Sequence, residues 1–409
     1  MENKVTVLHH LQHLSQLVFE VTDGCNLNCK YCAYSSMYEG YDKREFKKLP
    51  FKMAKTALDY VMDIRDSSPD VNYPLTVSFY GGEPLLNFSL ISKIVEYIKN
   101  EYPYQKVTFG MTTNAMLLDK YMDFIALNSF SLTISLDGDE KGQGYRVDHT
   151  GKNSFKRVFK NIILLKTLYP DYFKTNVLFN SVMHNRNSAE STYGFIKRNF
   201  DKNPLFSPLN PVGIRNDKID VFNTMYQNIN ESVLNSSNCE SLEAKMFIRS
   251  PRISNLVNYI YRYSNNVYGE YNDLIFDLAA KTEIKTGTCS PFSRKMFITV
   301  NGKILQCERI GHQFSLGYVT EDSVFLDIDE IVEKQNKIIS KIQKQCKKCN
   351  FKKVCPQCIF NITSILDINS KCNRFCSKQN FDKFMKMTTD YLSEHPYYYE
   401  RILNEVKMQ

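Results

Sequence analysis

The sequence predicts an α/β fold in which parallel strands alternate with crossover helices, followed by a smaller cysteine-rich module built on a β-hairpin. Apolar runs of strand length alternate with segments of helical period between residues 17 and 183. Each candidate polar motif falls at the C-terminal end of such a run, the face on which a (β/α) barrel places its chemistry. From Cys289 the composition changes, and eight cysteines lie within residues 289–376.

Residues 17–21 read as a short buried strand, and Cys25-Asn26-Leu27-Asn28-Cys29-Lys30-Tyr31-Cys32 leaves from its end. Three thiols this close can hold a cubane iron-sulfur cluster by three irons and leave the fourth open. A zinc site or a disulfide loop is the alternative, but no histidine or fourth cysteine is near. Residues 51–66 have helical spacing, with Met53, Ala57, Tyr60, Val61 and Ile64 on one side. Residues 75–80 form the next strand and run into Gly81-Gly82-Glu83-Pro84. The paired glycines let the backbone pass close to a ligand, and Glu83 puts an anion where an amino group could be held. Residues 91–98 and 121–127 read as helices between strands at 106–113, which ends at Asn114, and 131–136, which ends in Ser135-Leu136-Asp137-Gly138. A helix at 155–168 and a strand at 176–183 follow, and Pro204, Pro208 and Pro211 mark the end of the alternation.

The stretch 211–285 is mainly helical and rich in tyrosine. Tyr259, Tyr261, Tyr263, Tyr268 and Tyr271 either line a peptide groove or pack between helices. Cys239 is isolated, as a buried inert thiol would be. Beyond Cys289, residues 296–300 and 303–306 flank Asn301-Gly302, a two-residue hairpin signal that sets Cys307 at the end of the second strand. Cys346-x2-Cys349-x5-Cys355-x2-Cys358 is too compact for a zinc ribbon; with Cys289, Cys307, Cys372 and Cys376 the field supplies the eight thiolates of two four-cysteine clusters, paired zinc sites being the alternative.

Composition narrows the class. The 409 residues suffice for a large domain and a smaller one, and 43% hydrophobic with 23% charged content is ordinary for a globular chain. The net charge of +8 is modest, and no arginine-rich tract or RNA-binding signature accompanies it, which argues against nucleic acid. Six lysines within 341–353 interleave with Cys346 and Cys349, as cluster compensation or a solvated face. Nothing resembles a signal peptide or a membrane span, so twelve cysteines suggest metal or catalysis in a reducing cytoplasm. His9, His10 and His13 read as solvated residues of a mobile terminus.

The spacing C-x3-C-x-aromatic-C resembles the signature of radical S-adenosylmethionine (radical SAM) enzymes, and Gly81-Gly82-Glu83-Pro84 resembles their GGE motif. The resemblance implies a partial (β/α)6 TIM-like barrel over 15–210, after an N-terminal segment at 1–14. Cys25, Cys29 and Cys32 become ligands of a cluster that binds SAM, with Tyr31 near the adenine and Gly81, Gly82 and Glu83 at the methionyl amino group. Asn114 and Ser135 become candidate SAM contacts, and Arg146, in Tyr145-Arg146-Val147-Asp148-His149, matches a region whose arginine reaches the SAM carboxylate or the substrate.

The later cysteines resemble the SPASM extension through Gly302-x4-Cys307 and Cys346-x2-Cys349-x5-Cys355, although Cys358 comes one residue early. This implies a bridging segment at 211–285, a SPASM domain at 286–380 and a C-terminal helix at 381–409. Cys289, Cys307 and Cys358 would serve one auxiliary cluster; Cys346, Cys349 and Cys355 with Cys372 or Cys376 would serve another. The chain would then hold three [4Fe-4S] clusters and SAM. Such enzymes mostly install thioether or carbon-carbon crosslinks in small ribosomal precursor peptides, using a reductant such as flavodoxin or ferredoxin. Only 24 residues precede Cys25, so leader recognition would need a separate leader-recognition protein or the middle segment, unless the substrate has no leader. Glu308 stands where the sulfatase-maturing branch places a catalytic aspartate, which makes it a proton acceptor, a substrate contact or a salt-bridge partner of Arg309 or a lysine. Formylglycine formation in sulfatases is the alternative activity, and an iron-sulfur electron carrier or scaffold the non-enzymatic one.

Overall fold

The computed structural model describes residues 2–68, 74–263, 286–353, 355–362, 365–367, 370–372 and 374–406. The chain packs as two compact bodies, one formed by Glu2–Asn228 and Cys289–Glu333, the other by Ile229–Thr288 and Lys334–Gln409. No helix among the described residues is long and apolar enough to cross a membrane.

In the first body six parallel strands lie side by side in chain order: β1 (Gln16–Thr22), β2 (Leu75–Gly81), β3 (Val107–Thr113), β4 (Ser131–Ser135), β5 (Val177–Met183) and β6 (Leu205–Pro208). Helices α1 (Lys4–Gln12), α2 (Phe51–Asp66), α3 (Phe88–Glu101), α4 (Leu118–Leu127), α5 (Phe155–Leu168), α6 (Pro170–Asn176) and α7 (Ala189–Phe200) precede and link them. Alternation with period two decides which side chains meet the helices. Leu17, Phe19 and Val21 share a core with Val77, Phe79, Leu132 and Ile134 and with Leu58, Ile94 and Ile162 of the helices. Glu20 and Thr22 therefore project to the other face, where a barrel keeps its polar groups.

Three features differ from the sequence expectation. Residues 4–12 are a helix, capped by Asn3, whose side chain accepts from the Thr6 N–H at 2.9 Å, and anchored by fully buried Val7 and Leu11. The histidines thus sit on an ordered element. The sixth strand of the expected (β/α)6 barrel lies inside the proline-marked stretch read as the end of the alternation, where Pro208 is tolerated because β6 pairs with β5 alone. The predicted hairpin forms as β7 (Met296–Ile298) and β8 (Lys303–Leu305), but β7 also pairs in parallel with β1. With β9 (Gly317–Val319) and β10 (Val324–Phe325) it extends the barrel sheet to ten strands. Gly302 closes the hairpin at φ +79°, and a Cβ there would stand 2.2 Å from the Val319 carbonyl oxygen.

The second body is mainly helical. Phe247, Ile253, Leu256 and Ile260 pack with Tyr391, Tyr398 and Ile402, and Tyr259 and Tyr261 lie against them as packing aromatics. Tyr268 and Tyr271 lie outside the described residues. The helix expected over 381–409 is two, Lys378–Glu394 and Tyr397–Glu405, separated at Pro396, which has no N–H to continue the first.

Candidate active site

The three-cysteine loop leaves β1 and is fixed by its backbone. Asn28 N–H donates to the Val147 carbonyl (2.7 Å) and Lys30 N–H to that of Tyr145 (3.1 Å), while the His149 ring Nε2 lies 2.8 Å from the Cys25 carbonyl oxygen. Burial pushes the Cys25 and Cys29 thiols up to about 12, so a ligand role would require a metal to displace the proton. Among the described residues no three of Cys, His, Asp and Glu are gathered around a single-ion site. A cubane, with its ligands on separate corners, draws on a wider set.

The end of β2 is joined to the start of this loop. Gly82 N–H donates to the Thr22 carbonyl and Glu83 N–H to that of Gly24, both at 2.9 Å. A Cβ on Gly81 would stand 2.2 Å from the Thr22 oxygen, and one on Gly82 2.0 Å from the Gly24 oxygen. The close approach that the paired glycines allow is thus to the chain's own backbone.

Glu83 is 1% exposed. Its carboxylate accepts from the Thr113 hydroxyl (2.6 Å), Asn114 N–H (2.8 Å) and Leu85 N–H (3.2 Å). Burial outweighs these donors and raises its pKa to about 7, and no cation among the described residues opposes it. A buried carboxylate of this kind suits an ammonium ligand. Asn114 turns its side-chain amide to Asn26 Oδ1 (2.8 Å) and lies 3.8 Å from Cys25 Sγ, so the glutamate and the cysteine loop share one neighbour. Ser135 closes β4 opposite Asn180 and is buried.

Tyr31 and Arg146 meet at Asp137, within the Ser135-Leu136-Asp137-Gly138 motif at the end of β4. Asp137, fully buried, accepts from the Tyr31 hydroxyl, from Arg146 Nε (3.0 Å) and Nη2 (3.3 Å), and from Val182 N–H (2.9 Å). Burial would push its carboxyl up, but the Arg146 guanidinium, followed by His184 and the Tyr31 hydroxyl, outweighs this and holds it below the usual range. The signal that could have found Asp137 is its position at the C-terminal end of β4.

Glu308 follows Cys307 and is ion-paired with Lys295 at 3.0 Å, its side chain 16% exposed. Burial opposes ionisation, but Lys295 prevails and the pKa lies below the ordinary value. The lysine partner, which the sequence left unspecified, is thus on β7's approach. Arg44, not singled out from sequence, donates to Glu20 of β1 and stacks 3.5 Å from the Tyr34 ring centroid.

In the second body Cys346, Cys349, Cys355 and Cys372 line one pocket with Lys352, Arg374 and Phe375. Cys376 lies outside this lining and turns its Sγ to the Ser377 carbonyl at 3.4 Å.

A three-thiol loop beside an unopposed carboxylate lies at the C-terminal ends of parallel strands, and residues 19–196 match the family model described as the radical SAM superfamily. Among characterised relatives, a radical SAM cyclopropyl synthase, TigE, of Paramaledivibacter caminithermalis is 24% identical over 74% of this chain and 67% of its own length. A cysteine-type anaerobic sulfatase-maturating enzyme of Clostridium novyi is 24% identical over 93% and 97%. The uncharacterized protein MJ0907 of Methanocaldococcus jannaschii is 33% identical over 41% of this chain, which spans about half (54%) of that relative's length. The fold is that of native anSMEcpe with bound AdoMet and Cp18Cys peptide, with TM-score 0.62, 18% identity and coverage of 95% and 99% of the two chains.

Proposed function

We propose that the chain is a peptide maturase that abstracts hydrogen from a ribosomally made peptide and installs an oxidative modification such as a thioether or carbon-carbon crosslink. The observation that carries SAM use is Glu83, a buried carboxylate without a cation, one strand from the cysteine loop. When bound, the reduced cluster and SAM supply one-electron cleavage of SAM and hydrogen-atom abstraction.

The chain's own residues hold the reactants. Cys25, Cys29 and Cys32 take the cluster, Glu83 holds the methionyl ammonium, and Gly81, Gly82 and Asn114 fix that glutamate against the loop. Tyr31 walls the adenine side and Ser135 contacts SAM. Cys346, Cys349, Cys355 and Cys372 take an auxiliary cluster, the set their common pocket supports. Cys289 and Cys307 ligate a further one. Glu308, held as an anion by Lys295, orients the substrate or receives its proton. A reductant of the flavodoxin or ferredoxin class and a leader-recognition protein complete the system.

Peptide maturation is preferred over sulfatase maturation because Cys307-Glu308-Arg309 stands where the sulfatase branch carries Cys-Asp. The test is anaerobic incubation of the reconstituted protein with SAM, a reductant and the small peptide encoded beside its gene. A product lighter by about two hydrogens supports the reading. Formylglycine formed in a sulfatase-derived cysteine peptide, with the neighbouring peptide unchanged, replaces it with the alternative.

A further inference from the structure

Tyr31 lies between Cys29 and Cys32, so whatever fixes its ring also fixes two of the three sulfurs. Its hydroxyl donates to Asp137 Oδ2, and Asp137 is itself immobilised. The Asp137 N–H donates to Gln143 Oε1 (2.9 Å), and its carbonyl accepts from Asn187 Nδ2 at 2.9 Å. The four donors on its carboxylate come from three separate segments: the cysteine loop, the loop carrying Arg146, and β5 through Val182. His184 packs beside the carboxylate without a hydrogen bond to it. Arg186 N–H donates to its Nδ1 at 3.2 Å, so Nε2 carries the proton and faces Asp137 Oδ2 at 3.6 Å, while the imidazole packs 5.6 Å from the Tyr31 ring.

We propose that Asp137 is a positioning residue: through Tyr31 it sets the cysteine loop and the aromatic wall of the SAM site, and the Arg146 guanidinium offsets its charge. The charge balance distinguishes this role from ordinary barrel packing. Asp137 alone would be a buried anion close enough to act on Cys29, and two of the Arg146 nitrogens are spent on it. Arg146 thus gives its Nε and Nη2 to the clamp. The inference rests on the cysteine loop holding a cluster.

The test uses the full-length protein, reconstituted anaerobically, as wild type and as Tyr31→Phe, Asp137→Asn and Arg146→Gln. Iron content, SAM affinity and the midpoint potential of the electron paramagnetic resonance signal that SAM perturbs are measured for each. Tyr31→Phe keeps full iron and an unchanged potential but binds SAM roughly tenfold more weakly, as loss of one charge-assisted hydrogen bond implies. Asp137→Asn, which leaves the arginine unopposed, raises the potential; Arg146→Gln, which leaves the aspartate unopposed, lowers it. Potentials that move in the same direction, or do not move in iron-replete variants, overturn the charge balance. Wild-type SAM affinity in Tyr31→Phe overturns the clamp, and it decides the matter where the two charge variants fail to fold. A wild type that takes up no iron or cleaves no SAM contradicts the proposed function instead, so the two failures are separable.

Discussion

Glu83 shows how far a single residue could be read. Its place after a strand, behind two glycines, marked it as an anion for an amino group, and that location is where the fold puts it. Its lack of a cation is a tertiary fact that no local pattern encodes. The carboxyl has its pKa raised from 4.5 to about 7, so the stability it contributes is fully present below 4.5 and is lost as pH rises through about 7. The loss is on the order of 3 kcal/mol. We predict that Glu83→Gln melts at a higher temperature than the wild type at about pH 8 without SAM, that the difference closes near pH 4, and that SAM no longer binds. Differential scanning calorimetry and isothermal titration check the two halves. Glu308 behaves in the opposite sense, since Lys295 keeps it ionised. Glu308→Gln is expected to keep all iron and SAM cleavage while losing product by about 10²-fold or more, measured by mass spectrometry with peptide present.

At the scale of elements, α2 and α5 were legible because each carries apolar residues on one helical face over several turns. β6, β9 and β10 have four, three and two residues, too short for any period to show. The pairing of β7 with β1 joins residues far apart in sequence, which no window of sequence can reveal. The turn after β2 is the most constrained of these elements. Gly82→Ala forces a methyl group onto the Gly24 carbonyl, 2.0 Å from where the Cβ must sit, and something must move. A cost of about 1–3 kcal/mol follows from overpacking, together with a displaced cysteine loop. The expected outcome is a lower melting temperature and loss of the SAM-perturbed cluster signal, with the auxiliary signals retained.

Across the whole molecule, the sequence placed the two cysteine fields and the alternating barrel, and the fold adds how they are held. The choice between Cys372 and Cys376 could not be made from spacing, because both follow Cys358 at loop distances. The common pocket favours Cys372. Cys372→Ala should lower iron and sulfide by about four atoms each from a wild-type content of about twelve, whereas Cys376→Ala should leave both unchanged. Lys295 and His184 escaped notice, and the partners of Asp137 could not be read, for a shared reason: each gains its importance from partners brought in by other strands.

We propose that the loop at Cys25, Cys29 and Cys32 with Glu83 cleaves SAM. The deciding measurement is 5'-deoxyadenosine formed by the reduced, reconstituted protein under anaerobic conditions, compared with Cys29→Ala. Steady formation by the wild type and none by the variant is the outcome expected of this chemistry. An iron-loaded wild type that forms no 5'-deoxyadenosine, or a Cys29→Ala protein that forms it at the same rate, would contradict it.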